Sequence, residues 1–183
     1  MRKMEKEEYA IILDFLPYGY PLENKMMPIA QAIGSKEFTL LQLIPRRGIK
    51  LEVGENVYIG EGKRDKIYYI LGRLPGIKLT ENARIQLQEF VEKEIAKNDV
   101  KFIDFFNNAQ AINTRLHQLE LLPGFGKKHT HAIIEERNKK PFESIEDLKT
   151  RVSNLPDPKK SIEKRFLQEI ISKEKYPLFM RNL

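Results

Sequence analysis

The stretch Leu122-Pro123-Gly124-Phe125-Gly126-Lys127-Lys128 decides the fold of the second half of this 183-residue chain. Two glycines flank one apolar residue, and glycine tolerates both a positive φ and the close approach of a ligand to its backbone. We therefore predict a tight turn with exposed backbone amides. The helix that follows, from Lys127 to Asn138, would direct its unpaired amides and the positive end of its dipole towards an anion.

A first helix is expected before this turn, because Thr114 is a suitable N-cap and leucines follow it at helical spacing. These are Leu116, Leu119 and Leu122. The expected order is helix, hairpin, helix. An ordinary helix-to-helix turn with a glycine C-cap is the alternative interpretation of the same residues.

The run LPGFGKKHTHAIIEER at 122–137, continued by PFESIEDL at 141–148, resembles the helix-hairpin-helix element of DNA repair and recombination proteins. That resemblance implies phosphate binding by the loop. Thr130 departs from the pattern, which usually has Ala there. The second hairpin is degenerate, since the segment VSNLPDP at 152–158 has prolines and an aspartate instead of glycines, and we expect no phosphate site there.

The basic residues are concentrated in the half of the chain that carries the hairpin. The net charge is +6, with 17 Lys/Arg against 16 Asp/Glu in residues 1–114 and 15 against 10 in residues 115–183. We expect Lys139 and Lys140 to extend the binding surface that begins at Lys127 and Lys128, as a nucleic-acid footprint requires. Other bases could line the loop or simply form solvated helix faces: Lys149, Arg151, Lys159, Lys160, Lys164 and Arg165.

Several classes of protein are disfavoured by composition. The chain has no Cys, which rules out disulfides, and three His without metal-ligand spacing, so neither a metal nor another cofactor is expected. No apolar run approaches the length of a membrane helix. We expect a soluble, cytoplasmic protein that does not bind membranes.

The first half of the sequence predicts short strands separated by glycine turns. The expected strands are Tyr9–Phe15, Phe38–Ile44, Glu55–Ile59 and Lys66–Leu71. The predicted fold class is α+β, with a small N-terminal β-barrel, OB-like or SH3-like, followed by an all-α helix-hairpin-helix domain. We place the barrel and a following helix, capped by Thr80, at 1–98 and the helix-hairpin-helix domain at 99–183.

A second binding surface is expected on this barrel, because OB-type barrels bind single strands through aromatic side chains beside basic ones. The candidate residues are Arg46, Arg47, Tyr58, Lys63, Arg64 and Tyr68. Alternation along a strand would make Tyr68 and Tyr69 point in opposite directions. Core packing is the alternative role for these tyrosines.

Nearly the whole chain resembles an archaeal family of uncharacterised proteins to which RNA binding is ascribed from their domain content. The resemblance is carried by EYAIILD at 8–14, VGE at 53–55, RDKI at 64–67 and RLHQLELLPG at 115–124. It implies a small N-terminal β-barrel joined to a helix-hairpin-helix domain. It also favours RNA over DNA as the polymer.

No catalytic constellation is found in the sequence. Glu136-Arg137-Asn138 resembles the start of a nuclease motif only superficially, since Asn138 stands where that motif has lysine. Asp147 lies near the distance from the hairpin at which a glycosylase has its catalytic aspartate, but it also fits a helix-capping position. We therefore predict a protein that is not an enzyme.

The predicted function is largely sequence-independent binding of the nucleic-acid backbone by residues 122–128 with Lys139 and Lys140. The competing hypothesis is a protein-interaction adaptor in a ribosome-related or repair complex. The apolar tail Tyr176-Pro177-Leu178-Phe179-Met180 favours the adaptor if it is exposed. The sequence makes no prediction of the oligomeric state.

Overall fold

Five antiparallel strands form one curled sheet in this computed structural model, which describes residues 7–21, 23 and 26–180. The strands are β1 (Tyr9–Leu16), β2 (Ile29–Gly34), β3 (Leu40–Pro45), β4 (Asn56–Tyr58) and β5 (Ile67–Arg73). Their order is β4-β1-β2-β3-β5, so β4 and β5 lie at the two ends. The predictions of β1, β3, β4 and β5 are confirmed, within one or two residues at most of their ends.

Strand β2 was missed by the sequence analysis. All six of its residues are buried, so the alternation of apolar and polar side chains that marks a half-exposed strand is absent. Gln31 is fully buried among them, and its Nε2 donates a 2.7 Å hydrogen bond to the carbonyl of Lys78. Its Oε1 accepts a 3.0 Å hydrogen bond from the Thr80 amide. Both the amide nitrogen and the amide oxygen of the buried Gln31 side chain are therefore hydrogen-bonded.

The core of the sheet is built from small and branched apolar side chains. Leu43 and Ile67 are fully buried there, and partly buried Phe15 packs against the same cluster. The other buried members are Ala10, Ile12, Ala30, Ala32, Leu41, Leu51, Val57 and Ile59. Burial of this apolar surface is the main force that holds the strands together.

In the part of the chain that the structure describes, five α-helices follow the sheet. They are α1 (Glu81–Lys97), α2 (Asp99–Asn108), α3 (Lys127–Lys139), α4 (Ile145–Arg151) and α5 (Pro158–Ile171). The predicted N-cap of α1 is confirmed, since the Thr80 hydroxyl accepts a 3.1 Å hydrogen bond from the amide of Ala83. The chain therefore has a mixed α+β fold.

The prediction of a helix that begins after Thr114 is wrong. Two short paired strands, β6 (Ala111–Asn113) and β7 (Leu116–His117), occupy this segment, and a 3₁₀ turn at Gln118–Leu121 follows them. Leu119 and Leu122 are both buried, and a spacing of three is also the period of a 3₁₀ helix. The leucine pattern thus marked a buried face correctly but did not identify the type of helix.

The chain divides into two compact units. We name the residues up to Glu89 together with those from Glu169 onward the sheet unit, and Phe90–Gln168 the helical unit. The boundary expected between residues 98 and 99 stays a prediction. Within the described residues, none of the helices combines the length and apolar character that would let it span a membrane.

The apolar C-terminal tail is fixed within the sheet unit. Leu178 and Phe179 are 3% and 4% exposed. The buried carboxylate of Glu169 accepts hydrogen bonds from the amides of Leu178, Phe179 and Met180 at 2.7, 2.9 and 3.1 Å. A carboxylate that receives three backbone amides is a strong anchor. The two largest apolar side chains of the tail are therefore not exposed.

Candidate nucleic-acid interface

The glycine turn before α3 lies in the helical unit and is anchored by apolar side chains on both sides of Gly124. Leu122 is 1% exposed and Phe125 is 6% exposed, and the Phe125 ring lies 6.0 Å from the ring of Phe106. Gly124 has φ +87°, a conformation that strains any residue with a Cβ. The predicted need for glycine at this position is confirmed.

Gly126 has a different role from Gly124. It is exposed and occupies the N-cap position of α3 with extended backbone, φ −124° and ψ −175°. A Cβ added there would meet no atom within 4 Å. Neither backbone strain nor lack of space therefore requires glycine at 126, although glycine is a better N-cap than alanine or valine. Close approach of a ligand to the backbone would be a further reason for glycine here.

Two of the amides expected to face a ligand already have partners within the chain. The Phe125 amide donates a 3.0 Å hydrogen bond to the carbonyl of Leu122. The Gly126 amide donates a 3.1 Å hydrogen bond to Nδ1 of His129. In the part of the chain that the structure describes, the amides of Lys127 and Lys128 have no such partner, as expected in a first helical turn. The open amides are therefore those of Lys127 and Lys128 at the start of α3, as expected, whereas the Phe125 and Gly126 amides of the turn are already engaged.

Among the three helices that follow the turn, only α3 begins without a side-chain acceptor on its cap residue. The Ser144 hydroxyl caps α4 by accepting a 3.0 Å hydrogen bond from the amide of Asp147. Asp157 caps α5, since its Oδ1 accepts from the amide of Lys159 at 3.0 Å. Helix α3 has a glycine cap and no acidic residue in its first turn. Its dipole is therefore uncompensated at this end apart from the His129 ring.

The segment at 152–158, which was predicted to be a degenerate second hairpin, packs beside the glycine turn. The hydroxyl of Ser161 donates a 2.8 Å hydrogen bond to the carbonyl of Pro123. A Cβ on Gly124 would lie 3.3 Å from Cγ of Pro156. These contacts bring the first turn of α5, with exposed Lys159 and Lys160, next to the loop. Both lysines were among the bases that could line the loop, and only the structure places them there.

We define the loop surface as the open start of α3 and the lysines beside it: Lys127, Lys128, Lys159 and Lys160. All four side chains are exposed. Within the described residues, none of the four takes part in an ion pair. The carboxylates of Asp157 and Glu163 lie near Lys159 and Lys160, but the four ammonium groups outnumber them, so this helix start can attract phosphate.

Lys139 and Lys140, which were predicted to belong to the same surface, lie at the other end of α3. At about 1.5 Å per residue the helix separates them from Lys127 by roughly 18 Å. Lys139 is paired with Glu136 at 2.6 Å, and Lys140 with Glu143 at 2.7 Å. Hydrogen bonds to these carboxylates raise the pKa of each lysine above its ordinary value. The two lysines therefore do not join the loop surface.

Arg151 stabilises the connection between α3 and α4. Its Nη2 donates to the carbonyls of Glu136 and Lys140 at 2.5 and 2.7 Å, and its guanidinium lies 4.6 Å from the centroid of the Phe142 ring. Arg165 is 6% exposed. These two arginines contribute to the basic composition of this half without lying on its open surface.

Thr130 lies on the packed face of α3, at the position where the helix-hairpin-helix pattern that this stretch resembles usually has Ala. It is 5% exposed, and its hydroxyl oxygen has no hydrogen-bond partner among the residues that the structure describes. A small side chain at this position is consistent with close helix packing. Burial of this hydroxyl without a hydrogen-bond partner lowers the stability of the folded state.

Asp147, the residue considered for catalysis, has a capping role. Its Oδ2 accepts a 3.1 Å hydrogen bond from the amide of Glu143 and lies 3.2 Å from Nη1 of Arg151. The backbone hydrogen bond, followed by the arginine, lowers the pKa of this carboxyl below its ordinary value. An ionised, hydrogen-bonded aspartate at a helix start is accounted for by that structural role.

Some of the residues predicted for the second surface, which lies in the sheet unit, contact one another or the same loop. Nε of Arg46 donates to the carbonyl of Arg64 at 2.8 Å, and Nε of Arg64 donates to the carbonyl of Gly60 at 2.8 Å. The hydroxyl of Tyr58 accepts from the amide of Gly62 at 3.0 Å. Tyr58 thus supports the loop in which Arg64 lies. Arg47 and Lys63 are exposed.

Strand β5 departs from regular alternation at Tyr68. Pro45 is opposite Ile67 and Ile44 is opposite Tyr69, so Tyr68 is an extra residue in the ladder. The expectation that Tyr68 and Tyr69 point in opposite directions is therefore wrong. Tyr68 is 64% exposed and Tyr69 is 37% exposed, and their ring centroids are 5.4 Å apart. No pattern in the sequence marks this bulge.

The chain is similar to proteins of one family over nearly its whole length. A family model described as "Protein of unknown function (DUF655)" matches residues 6–181. Uncharacterized protein MJ0038 of Methanocaldococcus jannaschii is 42% identical over 177 residues, which are 96% of this chain and 80% of that protein. The crystal structure of Af1531 from Archaeoglobus fulgidus is 46% identical, with a TM-score of 0.76 over 95% of this chain and 99% of that chain.

Proposed function

The chain belongs to the DUF655 family of proteins of unknown function, and from its own geometry we propose that it binds the sugar-phosphate backbone of nucleic acid at the loop surface. We also propose that the glycine turn and α3 form a helix-hairpin-helix element, and that the curled sheet is a small OB-like or SH3-like barrel.

The single observation that carries this proposal is the open start of α3. Its cap residue, Gly126, has no side chain, its first turn has no acidic residue, and the amides of Lys127 and Lys128 point out of the helix without partners among the described residues. A helix start of this kind stabilises an anion through both its amides and its dipole. The starts of α4 and α5, by contrast, are satisfied by Ser144 and Asp157.

The four exposed lysines of the loop surface support a polyanion rather than a single small anion. Lys127 and Lys128 come from the start of α3, and Lys159 and Lys160 from the start of α5. The Ser161–Pro123 hydrogen bond holds the two starts together. Several cations next to one open helix start fit a chain of phosphates better than an isolated one.

Binding of this kind is largely independent of base sequence, because contacts to phosphates fix position and carry no base information. RNA is favoured over DNA by the resemblance described under Sequence analysis. No chemical step is part of the proposal. The carboxylate considered for one, Asp147, is engaged in capping α4 and in its contact with Arg151.

The adaptor hypothesis loses the feature that favoured it. Leu178 and Phe179 of the apolar tail are buried, and the Glu169 carboxylate holds their amides. A partner would have to detach the tail before it could use these side chains. Nucleic-acid binding is therefore the stronger proposal.

The test is fluorescence anisotropy of labelled RNA and DNA, single-stranded and duplex, across a salt series with the wild type and Gly126→Val. With three to five phosphates neutralised, the slope of log affinity against log salt should be about −2 to −4. Gly126→Val should keep the fold, since a Cβ there meets no atom within 4 Å, with some loss of stability because valine is a poorer N-cap, and should bind more weakly because it blocks close approach to the backbone. A slope near zero, or unchanged affinity in the folded variant, would exclude the loop surface.

A further inference from the structure

We propose that Tyr68 and Tyr69 form a base-stacking platform that makes single-stranded nucleic acid the preferred substrate of this protein. We name these two residues the tyrosine platform. The inference depends on the proposed nucleic-acid binding for its context. The inference uses different residues, which lie in the sheet unit instead of the helical unit. The tyrosine platform and the loop surface can therefore be tested independently.

The bulge in β5 is what creates the platform. In a regular strand, neighbouring side chains point to opposite faces, and one of two adjacent tyrosines would face the core. Here the extra residue between Ile67 and Tyr69 leaves both rings in solvent, 64% and 37% exposed. The rings meet edge to face, with centroids 5.4 Å apart and an interplanar angle of 73°. In this arrangement the edge of one ring covers one face of the other, and the remaining ring faces are not covered by the neighbouring tyrosine.

The surroundings of the platform are also apolar and exposed. Leu71 lies two residues after Tyr69 and is 45% exposed. Sδ of Met27 lies 3.9 Å from the hydroxyl of Tyr69, and the adjacent Met26 is 83% exposed. Strand β5 pairs only with β3 among the described strands, so the platform lies on an edge of the sheet. Exposed apolar side chains on an edge strand favour aggregation, and their presence is accounted for if a ligand covers them.

Charge near the platform favours a polyanionic ligand. The amide of Arg46 donates a 2.8 Å hydrogen bond to the carbonyl of Lys66, which directly precedes β5. The guanidinium of Arg46 is exposed and held against the backbone of Arg64. Across this end of the sheet the exposed or half-exposed bases Arg46, Arg47, Lys63 and Arg64 outnumber the acids Glu61 and Asp65. Lys66 is neutralised by its ion pair with Glu55.

Base stacking selects a single strand over a duplex. In a duplex the faces of the bases are covered by their neighbours, whereas an unpaired base can place its face on an aromatic ring. Phosphates that leave the stacked bases would pass the arginines at the start of β5. A protein ligand for the same apolar surface would not need this cationic border. The combination of rings and bases thus points to an unpaired nucleic-acid strand, RNA or DNA.

The experiment measures affinities by anisotropy for four labelled probes of about 12 units, a length within the range that small barrels contact. The probes are an oligo-uridine RNA, an oligo-thymidine DNA, an abasic strand with the same phosphates, and an RNA duplex. The proteins are the wild type, Tyr68→Ala/Tyr69→Ala, Tyr68→Phe/Tyr69→Phe and Gly126→Val. The phenylalanine variant is the matched control, because it keeps both rings and removes both hydroxyls.

We expect the alanine variant to bind the RNA and DNA single strands at least about tenfold more weakly, and the abasic strand and duplex as the wild type does. The phenylalanine variant should match the wild type on every probe. Relative affinity for oligo-uridine and oligo-thymidine distinguishes the two polymers as ligands. Gly126→Val should weaken all four probes, since it acts on phosphate contacts.

Three outcomes would overturn the inference. They are equal single-strand affinity of the alanine variant and the wild type, equal weakening of all four probes in the alanine variant, and wild-type binding of the abasic strand as tight as that of oligo-uridine. If Gly126→Val binds normally while the alanine variant loses only the single strands, the platform stands and the proposed role of the loop surface falls. Absence of binding to all probes contradicts both, and would favour a protein ligand.

Discussion

The hydroxyl of Ser161 donates a 2.8 Å hydrogen bond to the carbonyl of Pro123, and this contact joins the start of α5 to the glycine turn before α3. Ser161 is 5% exposed, so the bond is shielded from water. The carbonyl that receives it immediately precedes Gly124. This contact, together with the packing of Pro156 against the turn, places the lysines at the starts of α3 and α5 next to the same loop.

Ser161→Ala should lower the free energy of unfolding by about 1 kcal/mol, since it leaves the Pro123 carbonyl without its buried donor. It should also weaken nucleic-acid binding, because Lys159 and Lys160 are then less firmly held beside the turn. Urea unfolding and anisotropy measure the two effects. Ser153→Ala is the control, since Ser153 is exposed, and should change neither.

Gly124→Ala and Gly126→Ala should separate stability from binding. Gly124 has φ +87° and a Cβ there would lie 3.3 Å from Pro156, so alanine should cost about 1–2 kcal/mol of unfolding free energy. Gly126→Ala should cost less, about 0.5–1 kcal/mol, because its backbone is extended and the space is open, so only the N-cap preference for glycine over alanine is lost. Equal destabilisation by both substitutions in urea titrations would contradict this division.

Three double substitutions that each remove two positive charges should differ in their effect on the salt dependence of binding. Lys127→Ala/Lys128→Ala and Lys159→Ala/Lys160→Ala should each reduce the magnitude of the slope by about 1–2. Lys139→Ala/Lys140→Ala is matched in charge, but these lysines lie at the far end of α3 in ion pairs, so the slope should not change. A slope that falls equally in all three variants would show that total charge, not position, governs binding.

His117 should make stability depend on pH. Its Nδ1 accepts a 3.1 Å hydrogen bond from the amide of Leu119, and burial, followed by the charge of Arg137, lowers its pKa below the ordinary 6.5. Below about pH 6.5 the unfolded chain therefore binds more protons than the folded one, so the unfolding free energy should fall as pH decreases through that value.

The matched variant for this effect is His117→Asn, whose side-chain oxygen can accept the same amide hydrogen bond without titrating. Urea unfolding at pH about 7.5 and about 5.5 should show a smaller loss of stability in the variant than in the wild type. The interpretation fails if both proteins lose the same stability between these two values.

Thr130→Val should raise the free energy of unfolding by about 1 kcal/mol. Valine has nearly the shape of threonine, and the substitution removes a buried hydroxyl that has no hydrogen-bond partner among the described residues. Thermal or urea unfolding would detect the change. A loss of stability would indicate that the hydroxyl is satisfied in solution, for instance by a bound water.

The sequence predicted those parts of the site whose geometry is local. The start of α3 was expected at Lys127 and is found there, because a helix following a glycine turn is specified by adjacent residues. A positive φ was expected to be possible at either glycine of the turn, and the structure has it at Gly124. The hydrogen bond from Gly126 to His129 was missed, although their spacing of three is that of a cap residue and the third position of a helix.

Local sequence patterns do not predict which distant segments of the chain contact each other. Lys159 and Lys160 were grouped with several other bases, since no sequence pattern states that Ser161 contacts Pro123. Lys139 and Lys140 were grouped with the loop by proximity in sequence, yet the length of α3 separates them from it. Strand β2 was missed because burial on both faces removes the alternation that marks a strand.

By itself the sequence determined the glycine turn, the helix it starts, four of the five strands of the sheet and the concentration of basic residues in the second half. These features follow from backbone conformation and side-chain periodicity over a few neighbouring residues. Only the tertiary structure decided which lysines lie beside the turn and that a bulge exposes both Tyr68 and Tyr69. Both results depend on which segments pair across long separations in the chain, and that choice is made by packing of the whole core.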